Sequence, residues 1–125
     1  MEFPADRKYS PDHLWVHAEN DGQVVAGVTD YAQDQLGPVI YVELPAAGQK
    51  VQAGVAMGTL ESAKTVSEII SPVTGLVVKV NHVLREEPSP LNQDPYGAGW
   101  LAVLSIEGDG LNGLLSAQEY KNLLA

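Results

Sequence analysis

Short apolar runs, each followed by glycine, proline or polar residues, make up most of this 125-residue chain. Such runs, separated by turn-forming residues, are typical of β-strands joined by short turns. On this pattern we predict strands at residues 14–16, 23–28, 39–44, 55–60, 69–70, 76–80 and 100–106. The chain is therefore predicted to be mainly β.

One short internal helix is predicted at residues 29–36. Thr29 or Asp30 can accept hydrogen bonds from the free N–H groups of its first turn. Gly37 can end this helix in the left-handed conformation, which glycine adopts without steric cost. No other helix is expected before the C-terminal segment.

A C-terminal helix is predicted to begin at Ser116. Ser116 and Glu119 have the spacing of a capping box, in which each side chain accepts a hydrogen bond from the other residue's backbone. The apolar residues that follow are predicted to share one helix face, and they are Tyr120, Leu123 and Leu124.

Two segments of the chain resemble each other. Residues 37–42 and residues 75–80 are both apolar strands that begin with glycine and precede a polar loop containing proline. Two such halves suggest a sandwich with approximate twofold symmetry. The alternative is that any β domain shows some self-similarity, and the sequence alone leaves both interpretations open.

Composition and charge limit the classes of protein to which this chain can belong. The 45% hydrophobic content and the length indicate one globular domain spanning residues 1–125. Seven basic and sixteen acidic residues give a net charge of −9, which disfavours nucleic acid and anionic membranes and favours partners with basic surfaces. The absence of cysteine excludes disulfides and thiolate chemistry. The first nine residues lack an apolar stretch of signal-peptide type, so we expect a cytoplasmic protein.

The most informative residue is Lys64, which lies in the polar stretch Glu61-Ser62-Ala63-Lys64-Thr65-Val66 between two apolar runs. The flanking runs predict a firmly held hairpin, and the small neighbouring side chains leave the ammonium group accessible. A lysine in a turn is most often a solvated charge. The alternative is an attachment point, because acylation would remove the charge and extend the reach of the side chain.

Other chemical groups are few. His13 and His17 are four residues apart, but their segment is predicted to be a strand and no third ligand is evident, so no metal site is predicted. Three serines lack the surroundings of a catalytic nucleophile, namely Ser10, Ser62 and Ser71. We therefore do not expect an enzyme.

Five stretches of the chain carry a family resemblance. The sequence resembles the H-protein family of the glycine cleavage system, whose members have the lipoyl/biotinyl-type β-sandwich, or barrel-sandwich hybrid. The resemblance extends from about Tyr9 to the C-terminal helix. The matching stretches are Gly27-Val28-Thr29-Asp30-Tyr31-Ala32, Tyr41-Val42-Glu43-Leu44-Pro45, Glu61-Ser62-Ala63-Lys64, Ser71-Pro72-Val73-Thr74-Gly75 and Asn92-Gln93-Asp94-Pro95-Tyr96-Gly97-Ala98-Gly99-Trp100.

The resemblance implies that lipoic acid is attached covalently to Lys64. In the family, the lipoylating enzymes also depend on a glutamate three residues before the lysine, a glycine sixteen before it and a glycine eleven after it. Glu61, Gly48 and Gly75 occupy those positions in this chain. A second interpretation is that both glycines serve turns with positive φ, and the two interpretations are compatible.

The resemblance also implies a shuttle with three enzyme partners. The lipoyl arm takes an aminomethyl group from glycine decarboxylase (P protein) and delivers it to aminomethyltransferase (T protein). Dihydrolipoyl dehydrogenase (L protein) then reoxidises the arm. A small carrier that visits several active sites is expected to be monomeric.

Three positions depart from the family pattern. Leu14 stands where the family usually has a glutamate that lines the cleft for the arm, Glu68 replaces an aspartate in the same cleft, and Pro38 replaces another aspartate. A more apolar cleft would suit different cargo. This keeps open a lipoate-binding protein of another pathway, such as sulfur oxidation or lipoyl relay.

Two further alternatives have less support. A β-rich binding module without a cofactor would make Lys64 dispensable. A biotin carrier of the same fold would normally have methionine on both sides of its lysine, whereas this chain has Ala63-Lys64-Thr65.

Overall fold

The computed structural model describes residues 1–108 and 110–125, and it contains nine strands and four helices within that part of the chain. In chain order they are β1 (Lys8–Tyr9), β2 (Leu14–Ala18), β3 (Gln23–Val28), α1 (Asp30–Leu36), β4 (Val39–Glu43), β5 (Lys50–Val51), β6 (Ala56–Ser62), β7 (Val66–Ile70), β8 (Gly75–Val80), α2 (Val83–Glu86), α3 (Ser89–Gln93), β9 (Ala102–Ile106) and α4 (Ala117–Leu124). The predicted mainly-β class is confirmed.

The strands form two antiparallel sheets. The six-stranded sheet has the order β1-β2-β3-β9-β8-β5, and the three-stranded sheet has the order β4-β6-β7. The two segments that resemble each other lie in different sheets, the first in β4 and the second in β8. Strands β6 and β7 form a hairpin within the three-stranded sheet.

The main core contains residues from both sheets. Val24, Leu104 and Val77 are direct cross-strand partners on β3, β9 and β8, and all three are buried. On the smaller sheet, Val42 and Leu60 are buried cross-strand partners. Each fully buried side chain of this size contributes roughly 1.5–3 kcal/mol of transfer free energy, so the core holds the smaller sheet firmly in place.

A second buried cluster joins α4 to the six-stranded sheet. Trp15 alternates with the core residues of β2 and belongs to this cluster, together with Tyr9 and Tyr120. The rings of Tyr9 and Tyr120 are stacked, with centroids 5.0 Å apart. The capping box is confirmed by Ser116 N–H donating to the Glu119 carboxylate at 2.8 Å and by the reciprocal bond of 3.1 Å.

Several predicted elements need correction. Leu123 is 51% exposed, so the predicted apolar face of α4 does not include it. Four short elements were not predicted. Strands β1 and β5 have two residues each, and helices α2 and α3 have four and five residues. These lengths are too short to give a periodic signal in the sequence. Strand β7 begins at Val66 rather than residue 69. Its start was missed because Ser67 and Glu68 are polar and interrupt the apolar pattern.

Gly37 follows α1 with a φ of 72° and a ψ of −169°. Its φ is positive, as predicted, but its ψ lies outside the left-handed helical region. Thr29 is the cap, since its side-chain oxygen accepts a hydrogen bond from Ala32 N–H at 3.2 Å.

Among the described residues, no helix has the length and apolar character needed to cross a bilayer.

Candidate functional site

Lys64 lies at the tip of the hairpin formed by β6 and β7. Glu61 and Val66 are the last cross-strand partners before the tip, and residues 63–65 connect the two strands. All three connecting residues are exposed. The fold therefore presents the lysine at the end of a rigid two-stranded projection.

Ser62 holds the tip in one conformation. Its backbone N–H donates to Thr65 C=O at 2.9 Å, and its side-chain oxygen accepts from the N–H groups of Lys64 at 3.4 Å and Thr65 at 3.3 Å. Ser62 itself is buried. This turn-forming role of Ser62 was not predicted, although a serine two residues before the tip is a recognised turn-forming pattern.

The side chain of Lys64 extends toward the end of α1. A Cβ atom added to Gly37 would lie 3.3 Å from Lys64 Cε and 3.6 Å from Nζ. The backbone at Gly37 is fixed by Asn92, whose Nδ2 donates to Gly37 C=O at 2.9 Å and whose Oδ1 accepts from Val39 N–H at 3.0 Å. The role of Asn92 was missed because its partners lie more than fifty residues away in sequence.

A cleft of about 350 Å³ runs between the hairpin and α1. Its lining includes Ser67 and Glu68 from β7, Tyr31 and Gln35 from α1, and Leu14 from β2. Glu68 is exposed at one wall. Leu14 is only 3% exposed and also belongs to the main core, so it gives this part of the lining an apolar surface.

His13 lies in the cleft wall and is connected to α4. Its Nδ1 is 2.7 Å from the hydroxyl of Tyr120, and that hydroxyl is 2.8 Å from Oγ1 of Thr29. Burial lowers the pKa of His13 from its usual 6.5, which favours a neutral ring at pH 7. Burial also raises the pKa of Tyr120 to about 12, so the phenol stays protonated.

His17, the other histidine considered as a metal ligand, does not line the cleft. His17 is near Asp6 and Glu19, with N–O distances of 3.6 and 3.8 Å. His13 instead bonds Tyr120, so the two histidines do not converge on one site.

The two glycines predicted for recognition lie away from the hairpin tip, on the six-stranded sheet side. Gly48 has a φ of 86° and donates its N–H to Val77 C=O at 2.7 Å. Gly75 begins β8 and pairs with Val51. A Cβ at residue 75 would collide with the carbonyl oxygen of Ser105. The hypothesis that both glycines serve positive-φ turns holds for Gly48 and is wrong for Gly75, which is required by close backbone packing.

A β-sandwich that presents one lysine on a hairpin tip beside a cleft is the architecture of a carrier domain. Comparison with known proteins gives the same class. The family model described as glycine cleavage H-protein matches residues 7–125. This chain belongs to the glycine cleavage H-protein family.

Individual relatives agree along the whole chain. The glycine cleavage system H protein of Listeria monocytogenes is 46% identical over 125 residues, covering 99% of both chains. That of Coprothermobacter proteolyticus is 46% identical over 118 residues, covering 94% of this chain and 93% of the relative. The crystal structure of a glycine cleavage system H protein from Mycobacterium marinum matches with a TM-score of 0.88 and 40% identity, covering 96% of this chain and 97% of that one.

Proposed function

We propose that this protein is the lipoyl carrier of a glycine cleavage system, with lipoic acid joined to Nζ of Lys64 by an amide bond. The observation that carries the proposal is the exposed position of Lys64 on a hairpin tip fixed by Ser62. Family membership over residues 7–125 supports the role in glycine cleavage.

The residues around Lys64 fit an attached arm. The tip residues Ala63 and Thr65 are small and exposed, and Gly37 leaves room beside Cε where a larger residue would crowd it. Attachment requires the neutral amine of Lys64 to attack the carbonyl carbon of an activated lipoyl donor. An amide bond forms, the bond between the acyl group and the donor's leaving group breaks, and the amine releases one proton.

Lipoic acid, when attached, would supply a dithiolane that takes up and releases the cargo. The chain has no cysteine and so has no thiol of its own for this chemistry. Its side chains provide the tip, the cleft and the surfaces on which partner enzymes dock. The expected partners are glycine decarboxylase, aminomethyltransferase and dihydrolipoyl dehydrogenase, together with a lipoylating enzyme.

The cleft beside the tip offers a place for the arm between visits. Its walls carry carboxylates at Asp12 and Glu68, both exposed, while Leu14 is apolar. A protonated amine on the arm would therefore be held by carboxylates near the cleft mouth rather than by one at residue 14. The apolar surface of Leu14 is the observation that favours a second candidate, a lipoyl carrier for a cargo without a positive charge, such as sulfur.

A loading assay tests the proposal. Lipoylated protein is incubated with glycine decarboxylase and labelled glycine, and label on the protein is measured. We expect label on the native protein and none on Lys64→Arg, which keeps the positive charge but is not a substrate for lipoylation. Failure of the lipoylated native protein to load, while the Listeria monocytogenes H protein loads in parallel, would contradict the glycine role.

Leu14→Glu is the informative companion variant. If the apolar surface of Leu14 disfavours a charged amine in the cleft, the new carboxylate should bind that amine. Hydrolysis of the loaded arm should then be slower than in the native protein. Because Leu14 is buried in the main core, the new carboxylate should also lower the free energy of unfolding by on the order of a few kcal/mol. Lipoylation of the folded fraction should be unaffected, because residue 14 lies in the cleft and not at the tip.

A further inference from the structure

The outer face of the three-stranded sheet carries a row of exposed side chains next to the hairpin tip. Tyr41, Glu61 and Val66 are direct cross-strand partners on β4, β6 and β7, so their side chains point to the same side. Tyr41 is 51% exposed and Val66 is 63% exposed. Because Glu61 and Val66 are the last partners before the tip, this row borders Lys64.

A second row lies behind the first. Glu43, Thr59 and Glu68 are also direct cross-strand partners, and each is two residues from a member of the first row. Side chains two residues apart on a strand share a face. We call the six residues of the two rows the acidic face, and they are Tyr41, Glu43, Thr59, Glu61, Val66 and Glu68. Val66 and Glu68 lie on the edge strand β7, so they border both this face and the cleft.

The charged residues of the acidic face are all negative. It contains three carboxylates and no lysine or arginine. In the part of the chain that the model describes, none of these three carboxylates takes part in a salt bridge. Carboxylates on one face repel one another, and a cationic partner relieves that repulsion.

The arrangement of apolar and charged groups is that of a small interface. An exposed aromatic and an exposed valine stand on either side of Glu61, and Glu43 and Glu68 lie behind them. Protein interfaces combine aromatic or apolar anchors with a polar rim, and tyrosine is frequent among residues that dominate binding energy. Of the alternate residues, Val42 and Leu60 face the core. Ile40 is exposed at the irregularity of β4, and Ser67 lines the cleft.

The family resemblance already implies that lipoylating enzymes recognise Glu61. We propose that the docking surface for the enzyme that attaches the lipoyl group to Lys64 extends from Glu61 over the rest of the acidic face. The partner surface would present lysine or arginine side chains around an apolar pocket for Tyr41 and Val66. This inference rests on the proposed function, since it presupposes that Lys64 is lipoylated.

The lipoylating enzyme and the other partners differ in how close to Lys64 they must bind. An enzyme that forms the amide must bring its active centre to Nζ of Lys64, and it must therefore contact the surface next to the tip. Enzymes that act at the far end of a long arm can dock further away. The residues that border the tip on the outer side are those of the acidic face.

The test measures lipoylation kinetics of the unmodified full-length protein with a lipoate–protein ligase, ATP and lipoate, followed by intact mass. We expect Tyr41→Ala and Val66→Thr each to lower kcat/KM at least about fivefold, mainly through a higher KM. We expect Glu43→Gln to lower it at least about threefold at low salt and much less at about 0.5 M salt, where exposed charges are screened.

Matched controls come from outside the face. Val83 on α2 is 59% exposed and Glu86 on the same helix is exposed. Val83→Thr and Glu86→Gln should leave kcat/KM within about twofold of the native value. Thermal unfolding of each variant shows whether a slow variant is folded, and Glu43→Gln keeps the test informative if Tyr41→Ala is unstable.

The outcomes separate the two proposals. If the native protein accepts lipoate at Lys64 but the three face variants react like the controls, the docking inference is wrong and the proposed function stands. If the face variants are lipoylated normally but load poorly with glycine decarboxylase, the face belongs to that enzyme and the inference is again wrong. If the native protein is never lipoylated at Lys64, the proposed function itself fails.

Discussion

The side chain of Lys64 lies against Gly37, with its Cε 3.3 Å from where a Cβ atom of residue 37 would stand. The lysine is thus directed from the hairpin tip toward the end of α1. Two residues of that end, Gln35 and Leu36, line the neighbouring cleft. The contact therefore relates the proposed attachment point to the cleft in which the arm is expected to rest.

Gly37→Ala should reduce stability and disturb Lys64. The φ of 72° at this position is unfavourable for alanine, and such strain costs on the order of 1–3 kcal/mol. Gly54→Ala is the matched control, because Gly54 has a φ of 84° but open space beside it. Urea unfolding measures the strain in both variants, and only Gly37→Ala should also slow lipoylation. Equal lipoylation rates would contradict a role for this contact.

Gly75→Ala should destabilise the protein far more than Gly48→Ala. The new Cβ would collide with the backbone of Ser105, and neither strand can move without breaking the pairing of β8 and β9. We expect a loss of more than about 3 kcal/mol in the free energy of unfolding, compared with about 1 kcal/mol for Gly48→Ala.

The same variant tests how Gly75 affects lipoylation. If its role is structural, the fraction of Gly75→Ala that is folded at low temperature should still be lipoylated at a near-native rate. A folded variant that is not lipoylated would instead indicate direct recognition of this position.

Tyr120→Phe should cost about 1–3 kcal/mol of stability. The change removes the hydroxyl that lies within hydrogen-bond distance of His13 Nδ1 and Thr29 Oγ1, and buried polar groups without partners are destabilising by about this amount. Tyr41→Phe is the control, since Tyr41 is exposed, and it should change stability by less than about 0.5 kcal/mol. Equal effects of the two variants in urea unfolding would contradict the account of the network.

His13 should make stability depend on pH in a defined interval. Burial lowers its pKa below 6.5 in the folded state, although the charge of Asp12 acts weakly in the opposite direction. The unfolded chain therefore binds more protons than the folded chain between the two pKa values. The stabilisation is complete above about pH 6.5 and is lost as the pH falls through the folded pKa.

This dependence can be measured by urea unfolding at about pH 7.5 and about pH 5.5. The carboxyl groups of Asp6 and Glu119 have pKa values lowered from 3.8 and 4.5, so they titrate below this interval. His13→Gln should flatten the dependence. An unchanged slope in that variant would assign the dependence to other groups.

The sequence predicted the elements that have a local signal. The bounds of β3 agree with prediction at both ends, because its apolar run is bounded by a turn and a helix cap. The capping box of Ser116 and Glu119 was also predictable, since both partners lie within one helical turn. The position of Lys64 on a hairpin followed from two apolar runs around a polar stretch.

What the sequence could not predict depends on long-range register. Tyr41 and Glu61 are twenty positions apart in the sequence and become neighbours only because β4 pairs with β6, with an irregularity between Val39 and Tyr41. Asn92 acts on Gly37 from a five-residue helix that has no periodic pattern. The acidic face and the support of α1 thus arise from pairings that no short stretch encodes.

The most direct test of the central claim is the intact mass of the protein made in its native host, followed by peptide mapping across Lys64. We expect a lipoyl-sized mass increment on the peptide that contains Lys64, and no increment in Lys64→Arg. An unmodified Lys64, in cells that lipoylate their other carrier proteins, would contradict it.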